Sequence, residues 1–465
     1  MRHYSFPKYL LSALLLCVAI SVHAAGLSFT GSSLKVLEES PDKSTGLDRI
    51  YVVYDVKGVS ATYTATSDRQ VKWYKYSTLG GGYAEEVTGV STSGRETTLV
   101  QVEGDMGYII EEGTDRHYYW VADYSPHRLW LRAIGAADTQ ECGMTTLHLT
   151  MEGTPLHYYT INGRMMTLSQ DIELSYTTQE WDEEAAQYIN VEKTDLLEEV
   201  SETLRVIPPA YADTRFRISG DKFLKQWNWL QEAESDVIPA FSVDVHTSAV
   251  QTPVSEDPDY RSNIINGGDT DGLGGSAPAD ITFTAECTDA VIHHEWQLAS
   301  DPDFENLIYR FNEQDLNYIF REQGTTYVRY IGSNSSGECE AYGETYTVNI
   351  GDSQLICPNA FSPGATPGVN DEWKVSFRSI VEFECWIFNR HGEQLFHFTD
   401  PLQGWDGKHR GKLVKPGVYF YVIDAKGADG KHYKLSGDIN IINYRGGSGT
   451  SGGDDSGSAG GETTE

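Results

Sequence analysis

With 465 residues the chain has room for about three or four domains of roughly 100 to 150 residues, each able to bury its own core. Its 68 acidic against 35 basic residues leave a formal charge of −33, which repels nucleic acid and offers an anionic membrane surface no attraction, while suiting solubility outside the cell. Tyrosine at 28, tryptophan at 10 and glycine at 45 favour strands and turns over helices.

The first residues name a compartment. Arg2, His3 and Lys8 precede an apolar run from Tyr9 to Ile20, and Val22-His23-Ala24 offers small-residue cleavage, so residues 1–24 read as a secretory signal peptide. Cys17 is not expected to carry lipid, because Leu14-Leu15-Leu16 lacks the small residue such a site needs. No later run is long enough for a membrane-spanning helix, so the mature chain is expected to have no transmembrane segment.

Residues 27–137 alternate in the manner of short strands: Ile50 to Tyr54, Ala61 to Thr64, Val71 to Tyr76, Gly107 to Ile110, Tyr118 to Val121 and Leu129 to Leu131. That spacing predicts an antiparallel Ig-like β-sandwich with Trp73 in its core. The aromatics could alternatively line a carbohydrate platform, but alternating strand positions favour packing. A second sandwich is expected over 138–249, with an acidic segment from Glu180 to Leu204 that reads either as an amphipathic helix or as an insert. Pro, Gly, Ser and Asp then mark a linker over 250–279, where Asp269-Thr270-Asp271-Gly272 begins like a calcium loop but continues with Leu273 and Asp280 at positions that need other ligands. Residues 280–351 again alternate, with Ile281 to Ala285, Glu295 to Leu298, Thr326 to Ile331 and Glu344 to Val348 as strands.

The last folded segment, 355–445, carries the most specific pattern. Pro358-Asn359-Ala360-Phe361-Ser362-Pro363 is followed by Asn370-Asp371, by Ile387-Phe388-Asn389-Arg390 with Gly392, by Trp405-Asp406-Gly407, and by Pro416-Gly417-Val418-Tyr419-Phe420-Tyr421. Phe383, Cys385 and Ile387 point to one strand face and Trp386 and Phe388 to the other, which predicts a strand buried on both sides. This order of pieces resembles the gliding-motility-associated C-terminal domain of Bacteroidetes, the type B sorting signal of type IX secretion, and residues 280–351 resemble the PKD-like modules that often precede it. Where that family usually has Asn-Gly-Asp-Gly before Asn-Asp, this chain has Ala365-Thr366-Pro367-Gly368, and a Gly, Ser and acidic tail, 446–465, follows the segment. The resemblance implies an all-β chain of tandem sandwiches ending in a small sandwich that delivers it to the cell surface or medium, or leaves it in the periplasm if the signal goes unused. Its implied partner is the type IX machinery.

Loss of the signal peptide removes Cys17 and leaves five cysteines, an odd number in an oxidising compartment. Strand positions suggest Cys287 with Cys339, which would close a loop worth about 4 kcal/mol. Cys357 and Cys385 share one domain and form the second expected pair, leaving Cys142 as the odd thiol.

A search for chemistry finds little. His293 and His294 are adjacent on a strand and point to opposite faces, so they cannot share a metal. Gly449-Thr450-Ser451-Gly452-Gly453 fits a nucleophile elbow only on paper, in a low-complexity tail. No catalytic, cofactor or metal residues are assigned. The sequence therefore predicts a non-enzymatic exported protein acting in adhesion, gliding-type motility or envelope assembly, toward an unidentified surface protein or glycan. The alternative is a secreted enzyme or glycan binder with its site in residues 27–249, which should then show a concave pocket with converging polar groups.

Overall fold

The computed structural model describes residues 26–198, 201–253, 272–365, 368 and 370–442. The signal peptide, the tail, the Asp269-Thr270-Asp271 start and most of the expected linker lie outside the described residues. The chain is nearly all strand, with one five-residue α-helix, Lys222–Gln226, among the described residues.

The first sandwich faces a four-stranded sheet, in the order Leu27–Thr30, Ser60–Thr64, Glu96–Leu99, Val90–Ser93, against a six-stranded one. The latter runs Leu37–Glu39, Arg49–Val53, Asp115–Asp123, Met106–Glu112, Val71–Tyr76, Glu85–Glu86. Tyr51, Val53, Tyr63, Trp73, Tyr108 and Tyr119 alternate into the space between the sheets, and Trp73 is buried with its indole N–H on Thr97 Oγ1 at 2.9 Å. The six-stranded sheet is also covered on its outer side. There Ile50, Val52, Tyr76 and Trp120 pack against the hairpin Leu156–Tyr159/Met165–Leu168 and against Phe223, Leu224 and Trp227 of the short helix. The first two units thus share a core, and the boundary expected at 137 does not hold: the strand Trp130–Ala136 pairs with Thr145–Glu152 and belongs to the second unit. At the same joint the Arg128 guanidinium lies 3.9 Å over Trp130 and 5.6 Å over Trp229, whose edge meets Tyr54 of the first unit.

The second sandwich sets Trp130–Ala136, Thr145–Glu152 and Thr203–Val206 against Gln187–Leu197, Ile172–Asp182, Arg217–Gly220 and Gln231–Glu234. The acidic segment is not a helix. It forms a hairpin in register from Ile172↔Leu197 to Asp182↔Gln187. Asp182 Oδ1 accepts from Glu184 N and Ala185 N, which lets the chain reverse at that point, and an acidic outer face costs a two-sided strand pair little.

The third sandwich begins earlier than composition suggests. Val245–Gln251 pairs along its whole length with Ala279–Cys287, and Leu273–Gly275 runs parallel to Tyr346–Ile350, so both ends of the expected linker are strand. Trp296, Tyr330, Phe283 and Ile281 fill its core. A disulfide joins this unit to the second: Cys142 to Cys339, with Cα atoms 5.5 Å apart.

Both expected pairings are therefore corrected, as is the place of Cys142. Cys339 lies in a turn that Asn334 Oδ1 fixes by accepting its backbone N–H, and this turn faces the second unit. Cys287 stays free at the end of its strand, its sulfur 3.1 Å from Tyr330 Oη. Cys357 and Cys385 are also free: the Cys357 thiol bonds with Tyr421, and Cys385 sits in the core of the last unit.

The last unit carries a five-stranded sheet ordered Ala360–Phe361, His432–Ile441, Gly417–Gly427, Ile380–Phe388, Gln394–Phe398. One face holds the core of Trp373, Trp405, Phe383, Cys385, Ile387, Tyr419 and Ile423. The strand Ile380–Phe388 has a neighbour on each side in the sheet, but it is buried on one face only, since its other face, with Trp386 and Phe388, reaches solvent.

Candidate functional site: the C-terminal signal domain

Nearly every residue of the sequence pattern in 355–445 is spent on building this unit. The Pro358 carbonyl accepts from Trp373 Nε1 at 2.6 Å. The Asn359 carbonyl accepts from Asn440 at both its backbone nitrogen, 2.9 Å, and its amide, 3.1 Å, which seats the short strand Ala360–Phe361 parallel to His432–Ile441. Phe361 meets Trp405 at 5.5 Å between ring centroids. Gly407 has φ +73°, and a side chain there would press on Pro363 and Phe361, so the Trp405-Asp406-Gly407 turn requires its glycine.

Asn370 takes φ +55° and its carbonyl accepts from Ser362 N, closing the loop that leaves Pro363. Asp371 then uses both carboxylate oxygens on backbone N–H groups, Gly364 at 2.8 Å and Gly368 at 2.6 Å. Those amides engage both oxygens of the carboxylate. Asn389 Oδ1 accepts from His391 N and Glu393 N, and Gly392 at φ +79° completes the turn after Phe388. Asp406 Oδ1 accepts from Lys408 N, and Trp405 Nε1 donates to the Lys408 carbonyl. Pro416 and Gly417 open the long strand, and Tyr419 Oη donates to the Lys415 carbonyl at 2.7 Å. Tyr421 lies 5.1 Å from Trp373, and burial, then Cys357, push its hydroxyl up to about 12. Burial also raises both thiols. A neutral, buried thiol is a poor nucleophile, so neither cysteine suits covalent chemistry.

The exceptions are Phe388, Val418 and Phe420, which face outward, and Arg390, exposed at the turn tip with its guanidinium 3.1 Å from His391. Two residues outside the sequence pattern matter as much as those within it. Trp373 joins the Pro358 carbonyl to Tyr421, and Asn440 holds Asn359. The signal for Trp373 was available, since an indole directly after Asn370-Asp371-Glu372 in a small domain is core material.

Elsewhere, no group of three or more His, Cys, Asp or Glu among the described residues is placed to hold a metal ion. His294 faces Tyr330 Oη and is held toward its neutral form by burial and by His293. One buried acid is structural: Glu112 accepts from Tyr63 Oη, Thr66 and Ser67. Among the described residues no helix is long and apolar enough to cross a membrane.

Residues 355–441 match the family model of the CHU_C type IX secretion signal domain, and residues 134–235 that of a fibronectin type III domain. No curated protein matches the chain. Among solved structures the chain is similar to the tetra-tandem repeat in the extending region of a large adhesion protein, at 10% identity over 84% of this chain and 96% of that one, with a TM-score of 0.20. It is similar also to the three N-terminal domains of the highly immunogenic outer capsid protein of bacteriophage RB49, at 9% identity over 68% and 98%, with a TM-score of 0.22. Superpositions that loose carry no weight for function. The C-terminal unit is a type IX secretion signal domain preceded by a fibronectin type III domain, and it marks the chain for export to the cell surface or the extracellular space.

Proposed function

We propose that the chain is a non-enzymatic surface protein whose first three units form a stalk-like body serving adhesion, gliding-type motility or envelope assembly, delivered by the type IX route. The carrying observation is the signal domain at 355–441, set behind sandwiches in which the buried carboxylates Glu112 and Asp221 are engaged by Tyr63 and Tyr124 in holding the fold. Protease added to intact cells should remove the protein. Complete protection until the outer membrane is permeabilised contradicts the proposal.

One observation favours the glycan-binding alternative. A cleft of about 440 Å³ in the second unit is lined by Leu129, Thr154, Thr167, Ser169, Gln170 and Glu198, close in sequence to the half-exposed Trp130. No histidine lines it, and Gln170 is already committed to Asp221 and the His127 carbonyl, so it suits binding better than turnover. Glycan binding that is lost in Trp130→Ala supports this second reading.

A further inference from the structure

The joint between the first two units holds an arginine whose charge is not met. Arg128 and Trp130 flank the buried Leu129, and Leu131 beyond them is buried too, so both side chains turn outward where the strand Trp130–Ala136 begins. Beside them runs the segment carrying Trp229 and Gln231, tied on by Leu131 N donating to Gln231 Oε1 at 3.2 Å. The Arg128 guanidinium lies 3.9 Å from the ring centre of Trp130 and 5.6 Å from that of Trp229. Tyr54 of the first unit sets its ring at 86° to Trp229, 4.9 Å away. Aromatic rings from two units thus fix the place of one guanidinium, and a fork held flat loses little freedom when it binds.

The donors of this cluster are unspent. Arg128 Nε and Gln231 Nε2 are buried without a hydrogen-bond partner, and no carboxylate among the described residues pairs with Arg128. Arg132, 5.1 Å over the same Trp130 ring, shows the contrast: it is satisfied by Glu152 at 2.9 Å. A buried donor without an acceptor is costly, so two of them beside an unpaired cation are accounted for by an acceptor that comes from outside the chain. Around them Trp130 and Trp229 remain 38% and 42% exposed, which leaves indole surface for the same visitor to cover.

We propose that Arg128, Gln231, Trp130 and Trp229 form a subsite for an acidic sugar, whose carboxylate meets the fork of Arg128 and whose ring lies against the exposed indole of Trp229. The inference rests on the glycan-binding reading and names the class of glycan. Both halves of the ligand follow from the cluster: a planar fork takes a carboxylate by two parallel bonds, and aromatic surface takes the C–H face of a sugar ring. The charge of −33 bounds it further, because a polyanion is repelled by the whole chain, whereas a lone carboxylate feels mainly the charges within about 8 Å. The ligand therefore carries its acid groups singly on an otherwise neutral glycan.

The test uses the full chain with methyl β-glucuronide and methyl β-glucoside, which differ in a carboxylate against a hydroxymethyl group. Binding is followed by calorimetry and saturation-transfer NMR. The glucuronide should bind about tenfold more tightly or better, as expected of a charge-assisted pair. Arg128→Gln should erase that preference, and Arg128→Lys should keep part of it, since an ammonium supplies charge without the fork. Trp229→Ala should weaken both sugars. Arg205→Gln, at an exposed arginine elsewhere in the same unit, should match the parent. Thermal melts check that each variant folds, and Arg128→Lys serves if loss of the charge unfolds the joint. Equal affinity for the two sugars overturns the acid subsite alone. Binding of neither, with glycan binding on an array still lost in Trp130→Ala, does the same and leaves the glycan-binding reading standing. An array without any ligand overturns both. A glucuronide preference that survives in folded Arg128→Gln places the acid elsewhere and overturns the proposal. Acetate that competes as well as the glucuronide shows a bare anion site and also overturns it.

Discussion

The signal domain and the three units before it are held in opposite ways. The first two units share a core, in which Phe223, Leu224 and Trp227 from the second cover Ile50, Val52 and Trp120 of the first. The second and third are joined by Cys142–Cys339, by Trp181 stacked on His246 at 4.0 Å, and by Asp289 N on Gln179 Oε1 at 2.9 Å. The signal domain, by contrast, touches the third unit through Ser379 with Ser276 and Ala277, through Gln323 N on the Ala428 carbonyl, and through Val381 and Ala428. Its own core is closed within itself. The first three units are tied to one another by a shared core and a disulfide, whereas the fourth keeps its core to itself.

That contrast can be broken from either side. Trp405→Ala should have the largest effect, about 4 kcal/mol, because a fully buried indole leaves a cavity and also vacates its bond to the Lys408 carbonyl. Scanning calorimetry should show the signal-domain transition moved or lost while the transition of the first three units stays in place. Movement of both would deny that the tag is self-sufficient.

Reduction, or Cys142→Ser, should cost the second and third units about 3 kcal/mol and split their unfolding into two steps, with the signal domain unaffected. Thermal melts with and without reductant, read by tryptophan fluorescence, decide this.

Glu112 sharpens the comparison by pH. Burial raises its carboxyl, but hydrogen bonds from Ser67, Thr66 and Tyr63 outweigh this and hold it at about 2, below its ordinary 4.5. A depressed carboxyl contributes stability that is complete above the unfolded value and lost as pH falls through the folded one. The first sandwich should therefore weaken between pH 4.5 and 2. Glu112→Gln should cost about 2 kcal/mol at neutral pH and remove most of that acid dependence, seen in urea titrations across the range. The smallest effect is expected from Trp130→Ala, about 1 kcal/mol, through loss of its stack with Arg128.

Much of the fold was readable because local pattern and global role agree. Alternation placed Trp73, Tyr108 and Tyr119 in a core, and the turn residues Asn389, Gly392 and Gly407 announced the signal domain. The errors have a common physical source. Cys142 and Cys339 are 197 positions apart, and nothing local in either sequence says that two sandwiches will meet there. Val245–Gln251 alternates weakly, with Val245, Thr247 and Ala249 facing one way, so a strand ran unnoticed into residues whose composition says linker. Trp386 and Phe388 read as a second buried face but reach solvent, since they carry the same apolar signal whether a neighbouring layer covers them or not. Among the pattern residues, the sequence identified the members without revealing that most of them face inward.

The central claim is that residues 355–442 act as a separable export tag for a single body built from the first three units. It is tested most directly by expressing the chain with and without those residues in cells with an intact type IX system, and measuring protease-accessible protein at the surface. Loss of surface exposure, with a folded and disulfide-linked remainder retained in the periplasm, is the predicted result. A shortened chain that reaches the surface as well as the whole one would contradict the account.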